Sequence, residues 1–143
     1  MTPEKDEELV KKYPEIFKNR YESVKYHPIG FGIECADGWF DILDAACAEI
    51  QHHCNHVKAR DGKDIQVVAD QVKEKFGELR FYVHGGDEYT DGIVSMAERM
   101  SSRICEDCGK PGKLYTGGWW LTQCQDCRSK HLEARDRVNG AGI

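Results

Sequence analysis

The apolar residues of the first twenty positions recur at helical spacing. They lie three and four positions apart, as on one face of an α-helix: Leu9, Val10, Tyr13, Ile16 and Phe17. This pattern predicts an amphipathic helix from Lys5 to about Arg20. Because proline fits the first turn of a helix better than its interior, Pro14 indicates that this helix is interrupted or restarts at Lys12-Tyr13.

The next apolar positions predict a short strand and then a long helix. A stretch punctuated by glycines favours a strand over Phe31–Cys35, and Asp37-Gly38 is typical of a turn. Six apolar residues then share one helix face: Trp39, Ile42, Leu43, Ala46, Cys47 and Ile50. We expect this helix to start at the turn, to run towards His56 and to end before Asp61-Gly62.

Two alternating segments in the middle of the chain predict a β-hairpin. Residues 65–72 and 79–84 are rich in β-formers and are joined around Lys75-Phe76-Gly77-Glu78. Since side chains alternate along a strand, one set of the second strand should face the core: Leu79, Phe81 and Val83. The other set should lie on the opposite face: Arg80, Tyr82 and His84.

A third amphipathic helix is predicted after the hairpin. Thr90 or Asp91 can cap its start. Its buried stripe is predicted at helical spacing: Ile93, Met96, Ala97, Met100 and Ile104. These elements predict an α+β fold, with a helix-plus-hairpin core domain over 1–103. The segment 104–143 follows the third helix almost directly, which suggests that it packs on the core.

Four cysteines of the last segment have the spacing of a metal site. They form two CxxC pairs with fifteen residues between them: Cys105, Cys108, Cys124 and Cys127. Four thiolates so arranged can close a tetrahedron around one Zn²⁺, with Zn–S distances of about 2.3 Å. We therefore predict one structural zinc ion, whose four protein ligands leave no open position for a substrate.

The alternative for these cysteines is a pair of disulfides, which depends on the compartment. The first residues are charged and lack the apolar stretch of a secretory signal, and no apolar run approaches the ~18 residues of a membrane span. We therefore expect a cytoplasmic protein, in which CxxC pairs bind metal more often than they oxidise. Cys35, Cys47 and Cys54 are then free thiols.

The sequence around the two pairs predicts a hairpin followed by a helix. Leu114-Tyr115 can pair with Trp119–Thr122 across Gly117-Gly118. The helix is predicted after Cys127 and should end at Asn139-Gly140. The turn that carries Cys105 and Cys108, which we call the knuckle, would precede this hairpin and helix. A knuckle, a hairpin and a helix in this order form a treble clef, in which the second cysteine pair lies near helix N–H groups that favour thiolates.

Histidines offer alternative metal ligands. His131 lies four residues after Cys127 and could replace one of the thiols. An HNH-type nuclease site would need further histidines in the hairpin, but residues 109–123 contain none. A second cluster on the long helix could bind another metal or could simply favour the C-terminal end of the helix dipole: His52, His53 and His56.

Two surfaces carry residues suited to contact with a ligand or partner. On the central hairpin, cations near aromatic rings could hold a phosphate or a base: Lys73, Lys75, Arg80, Tyr82 and His84. Because Glu74 and Glu78 interleave with them, cross-strand ion pairs are the alternative. On the segment 104–143, which we call the finger, Trp119 and Trp120 would point to opposite faces of a strand, so that one could anchor a partner. Packing of both rings in the core is the alternative.

Charge limits the range of partners. The chain carries 20 Lys/Arg and 25 Asp/Glu, a formal charge of -5, and four thiolates on one Zn²⁺ would add about -2. Residues 103–143 carry seven Lys/Arg against five Asp/Glu and would be near neutral with their metal. A role on nucleic acid would therefore need a local basic patch, since the bulk charge is repulsive.

Four motifs extend over most of the chain: Tyr13–Phe17, Gly30–Trp39, Gln71–Tyr82 and Cys105–Lys113. Together they resemble small uncharacterised zinc-finger proteins of phages and prophages. The resemblance implies a bacterial cytoplasm and a host- or defence-directed role, but it brings no known activity. The finger alone resembles that of the DksA/TraR transcription factors, which bind RNA polymerase, although residues 1–100 do not predict their long coiled coil.

Three functional hypotheses follow from these features. The first is a non-enzymatic zinc-containing binding protein, in which the core and the finger present a surface to a protein or a nucleic acid. The second is a small-molecule binder that sequesters a nucleotide-like signal with the cations and aromatic rings of the hairpin. The third is an enzyme, for which the sequence shows no nucleophile–base pair and no open metal site.

Overall fold

The computed structural model describes residues 1–141, so positions 142 and 143 of the predicted finger segment lie outside it. Its helices are α1 (Pro3–Lys12), α2 (Phe40–Asp61), α3 (Glu88–Ser101) and α4 (Gln125–Gly140). Its strands are β1 (Ile33–Glu34), β2 (Val68–Lys75), β3 (Glu78–His84), β4 (Lys113–Tyr115) and β5 (Leu121–Gln123). This mixture confirms the predicted α+β class. Among the described helices, none combines the length and the apolar character needed to cross a membrane.

A three-stranded sheet forms one side of the core. β2 lies in the middle, parallel to β1 and antiparallel to β3. As the alternation predicts, Leu79 and Phe81 are buried, whereas Tyr82 and His84 are exposed on the outer face. The inner face packs on α2 and α3, and this layer of helices and sheet contains most of the buried apolar residues.

The free edge of β3 is closed by side chains of α3. The N–H of Leu79 donates to Ser101 Oγ at 2.9 Å, and the N–H of Phe81 donates to Glu98 Oε1 at 3.0 Å. Backbone N–H groups at a sheet edge otherwise offer a template for another strand. These two contacts occupy such donors and also fix α3 against the sheet.

α1 ends at Lys12, which confirms the predicted boundary at Lys12-Tyr13. No helix restarts after Pro14, so the predicted second half of the first helix is wrong. The helical region is disfavoured for a residue before proline, and Tyr13 accordingly has a φ of -127°. Residues 14–21 form turns. Ile16 and Phe17 are nevertheless buried, so the apolar pattern reports the core rather than a helix.

A partly buried ion pair holds this turn segment between α1 and β1. Arg20 Nε lies 2.9 Å from Asp6 Oδ1, and Asp6 Oδ2 accepts a 2.8 Å hydrogen bond from the N–H of Ile33. The strand predicted over Phe31–Cys35 is shorter than expected, since a 3₁₀ turn occupies Pro28–Phe31 and only two residues pair with β2.

The long helix is confirmed, although it begins at Phe40 rather than at the turn and includes Asp61. One 3₁₀ turn over Asp37–Trp39 precedes α2, and Gly62 ends the helix in the left-handed conformation with a φ of 70°. Left-handed glycine is a common helix stop because it has no Cβ to clash. All six residues predicted on its apolar face are buried.

The start and the buried stripe of α3 differ from their prediction. Asp87 caps the helix, since its Oδ1 accepts from the N–H of Thr90 at 3.1 Å while Thr90 Oγ1 accepts from the N–H of Asp87 at 2.9 Å. Met96 and Met100 are 64% and 42% exposed, so their predicted burial is wrong. The buried side of the helix is turned towards the sheet, where Ser101 lies, and the methionines are left at the surface.

Candidate metal centre and adjoining aromatic patch

The four predicted thiols come together at the base of the finger. Their sulfur atoms all lie within 4.8 Å of one another, and Cys108 Sγ is 3.6 Å from Cys124 Sγ. A Zn–S distance of about 2.3 Å in a tetrahedron places sulfurs about 3.8 Å apart, whereas a disulfide needs about 2.05 Å. The cluster therefore has the dimensions of a tetrathiolate metal site, and none of its cysteines is in a disulfide.

The first cysteine pair lies on a tight turn. The N–H of Gly109 donates to the carbonyl of Cys105 at 2.9 Å, and the N–H of Cys105 donates to the carbonyl of Lys110 at 2.8 Å. Gly109 has a φ of 79°, a conformation that side chains with a Cβ rarely adopt. The turn folds the chain back so that Cys105 and Cys108 point to the same side.

The second cysteine pair lies at the start of α4, as predicted. Cys124 is the N-cap, and its Sγ accepts a 3.4 Å hydrogen bond from the N–H of Cys127. This bond lowers the pKa of Cys124 to about 7, which favours the thiolate that a metal requires. Burial raises the pKa of Cys127, so this thiol ionises most readily beside a bound cation.

The histidines do not join a metal cluster in the part of the chain that the structure describes. There, the four cysteines form the one group of three or more metal-ligating side chains, and His131 is exposed outside it. His53 stacks on Tyr89 with ring centroids 4.2 Å apart and bonds Asp87 at 2.8 Å. His53, the partly buried histidine of the three, thus supports the N-cap of α3, Asp87.

The first cysteine pair is docked on the start of α2. The N–H of Gly38 donates to the carbonyl of Glu106 at 2.7 Å, and Trp39 Nε1 donates to the carbonyl of Ile104 at 2.9 Å. Burial raises the pKa of Glu106, whose Oε2 accepts from the N–H of Ala36 at 3.0 Å. A Cβ on Gly38 would run into the backbone of the knuckle, so this contact is a close backbone approach.

The finger hairpin is docked on the turn between β2 and β3. Thr122 is fully buried, and its Oγ1 donates to the carbonyl of Gly77 at 2.7 Å. Gly77 has a φ of 77°, and a Cβ there would collide with the side chain of Leu114. The turn of the central hairpin and the hairpin of the finger are therefore fixed to each other.

This docking brings three exposed aromatic rings together, which we call the aromatic patch: Phe76, Trp119 and Trp120. Their exposed fractions are 63%, 76% and 43%, and the rings of Phe76 and Trp120 meet edge to face at 6.0 Å. They line a cavity of about 550 Å³ together with Glu74, Lys75 and Gly118. Both tryptophans lie in the loop 116–120, not on a strand, so the prediction that a strand directs them to opposite faces is wrong.

Phe76 was not singled out by sequence reasoning. It has a φ of 53° and is the one described residue other than glycine with a positive φ. Two-residue hairpin turns of this kind favour Asn-Gly, because a Cβ is disfavoured in the left-handed region. The signal was therefore present in the sequence as Phe-Gly at a position where Asn-Gly is expected.

The predicted cations of the central hairpin lie on the outer face of the sheet, where most contact neighbours of their own. Arg80 bonds Glu78 at 3.2 Å, and His84 bonds Asp70 at 2.7 Å. Lys73 and Lys75 each lie over an aromatic ring, those of Tyr82 and Phe76, at 5.9 and 5.8 Å. These contacts spread the positive charges along the sheet and do not converge on one anion site.

No protein-family model, no curated protein and no solved structure matches this chain. Function is therefore inferred from its own residues, namely the four-cysteine cluster and the aromatic patch that is fixed beside it. Only the first of these has a recognisable spacing in the sequence. The second forms from residues more than 40 positions apart.

Proposed function

We propose that this chain is a zinc-containing binding protein without catalytic activity, and that it recognises a partner protein through the aromatic patch. The observation that carries the proposal is the conformation of Phe76. A large aromatic side chain occupies a left-handed position, where it is disfavoured by about 1–2 kcal/mol, and still leaves most of its surface in water. Unfavourable backbone conformations of this kind cluster at functional sites.

The role of the metal is structural in this proposal. Four thiols that lie within 4.8 Å of one another match the ligand set and size of a zinc site. Four protein ligands leave no coordination position for a substrate. The order of knuckle, hairpin and α4 supports a treble-clef finger, in which zinc holds the loop of Trp119 and Trp120 against the core.

The partner is proposed to be a protein because the charge is unfavourable for nucleic acid. The formal charge of -5 becomes about -7 with a zinc tetrathiolate. Among the residues that line the cavity of the aromatic patch, Lys75 is the one cation. Phosphate contacts need several lysines or arginines. Exposed tryptophan rings are frequent energetic anchors of protein interfaces. A reducing bacterial cytoplasm, with a host- or defence-directed partner as the phage resemblance implies, belongs to the same proposal.

Zinc content tests the structural half of the proposal. Elemental analysis of purified, reduced protein should give about one zinc per chain. Cys108→Ser should lower this value and reduce the helical signal of the finger, whereas Cys47→Ser should retain the zinc because Cys47 lies in the core. Protein that binds no zinc when refolded with the ion would contradict the proposal.

Selection of peptides tests the binding half. A random peptide display library can be selected on the zinc-loaded chain, and the affinities of the enriched peptides can be measured by calorimetry. Trp119→Ala should weaken them at least about tenfold, as expected for a hot spot. Tyr26→Ala is the matched control, because Tyr26 is 71% exposed and does not line the patch.

Two results would overturn the choice of partner. Enriched peptides that bind the Trp119→Ala protein as well as the wild type would remove the aromatic patch as the site. Binding of oligothymidylate or of free nucleotides that depends on Trp119, in the absence of peptide binding, would favour nucleic acid or the nucleotide-signal hypothesis instead. The same calorimeter measures all of these ligands.

A further inference from the structure

One exposed face of α3 has features of a helix that packs against another helix. Four exposed residues at intervals of three and four form this α3 face: Glu88, Gly92, Met96 and Arg99. Beside it, α2 and α3 enclose an apolar groove of about 380 Å³ that Ala45, Ile93 and Met100 help to line. Within residues 1–141 no element covers this face.

No backbone conformation or close contact within the single chain requires glycine at position 92. It lies inside a helix, its φ is not positive, and an added Cβ would meet no atom within 4 Å. Glycine in a helix interior is less favourable than alanine, so an unneeded glycine there is unexpected. It does produce a depression on the helix surface, one turn before the protruding side chain of Met96, which is 64% exposed.

The two charges of the α3 face are unpaired and of opposite sign. Neither Glu88 nor Arg99 forms an ion pair with another described residue. An acidic start and a basic end also suit the helix dipole, so the charges alone would identify no partner. Together with Gly92 and Met96, which lie between them on the same face, the two charges do define a partner surface.

We propose that the α3 face binds a second copy of this chain in an antiparallel arrangement. If Met96 of one copy fills the depression at Gly92 of the other, Glu88 lies opposite Arg99, because both pairs are centred near Val94. A knob and its hole on one surface are what a two-fold symmetric interface requires. A parallel arrangement would bring like charges together. Met100 and the adjoining groove extend the apolar contact on either side of the axis.

Charge reversal tests this interface on the full zinc-loaded chain. Sedimentation equilibrium should show a reversible dimer of the wild type. Glu88→Arg and Arg99→Glu should each weaken association about tenfold or more, because each makes the facing charges alike. An equimolar mixture of the two variants should form a heterodimer, since every facing pair is then of opposite sign.

The controls separate this interface from other effects. Lys130→Glu, which changes the same amount of charge on α4, should leave the dimer unchanged. Circular dichroism verifies that each variant is folded, and Met96→Lys serves if a charge-reversed helix fails to fold. A wild type that stays monomeric at millimolar concentration overturns the proposal, as does a dimer that persists in both single variants. A mixture that forms no heterodimer overturns it as well.

Discussion

Replacement of Thr122 by valine should weaken the docking of the finger on the central hairpin and leave the capacity of the four-cysteine cluster for zinc unchanged. Valine has nearly the shape of threonine but cannot donate the 2.7 Å hydrogen bond from Oγ1 to the carbonyl of Gly77. The carbonyl of Gly77 would therefore lose this partner, and because both residues are buried, water cannot easily replace it. An unsatisfied buried group of this kind costs about 1–3 kcal/mol, more than the hydrogen bond itself contributes.

The assay is urea unfolding of the zinc-loaded protein. With a denaturant slope of about 2 kcal/mol per molar for a small domain, a loss of about 2 kcal/mol lowers the midpoint by about 1 M. Zinc content should not change, because the side chain of Thr122 bonds the hairpin turn and none of the four thiols.

Thr116→Val is the matched control, since Thr116 is exposed in the same finger hairpin. Its unfolding midpoint should equal that of the wild type. If Thr122→Val and Thr116→Val unfold at the same urea concentration, the buried hydrogen bond does not hold the finger in place. Loss of zinc from Thr122→Val would likewise refute the separation of docking from metal binding.

Three further changes test the contacts of the knuckle, of the Arg20–Asp6 ion pair and of the N-cap of α3. Gly38→Ala should cost several kcal/mol and weaken zinc retention in a chelator titration, because its Cβ would enter the knuckle backbone. Asp6→Asn should lower stability by about 1.5–3 kcal/mol in thermal unfolding, since it removes the counter-ion of the partly buried Arg20. The hydrogen bond with His53 lowers the pKa of Asp87. Stability from this carboxylate is therefore present above its unfolded-state pKa of about 3.9 and is lost as the pH falls through its lower folded-state pKa. The advantage of wild type over Asp87→Asn should shrink below about pH 4, and a difference that stays constant would contradict this.

The elements that follow from local periodicity could be predicted from the sequence. The faces of β3 and the apolar side of α2 agree with the structure, because alternation and helical spacing directly encode which side is buried. The four cysteines also come together as their spacing predicts. The same periodicity misplaced Ile16 and Phe17 in a helix, since burial in the core does not require regular structure.

The sequence predicts Trp119 and Trp120 as contact residues, but their grouping with Phe76 in the aromatic patch could not be predicted, because it depends on contacts between distant parts of the chain. Gly77 meets Leu114, and Gly38 meets Glu106, only after the finger has folded back on the core. A glycine that permits close approach has the same sequence appearance as a glycine in an ordinary turn. Tertiary packing also decided that both methionines of α3 face solvent, an outcome that helical spacing alone leaves open.

The closed edge of β3 restricts how this protein can meet other chains. With the N–H groups of Leu79 and Phe81 already bonded to α3, an incoming peptide cannot add itself there as a further strand. At this edge, contact with another chain has to use side chains, which carry more specificity than backbone groups common to every sequence. The same two hydrogen bonds protect this edge of the sheet from edge-to-edge polymerisation, so the exposed aromatic rings carry less risk of amyloid-like growth from β3.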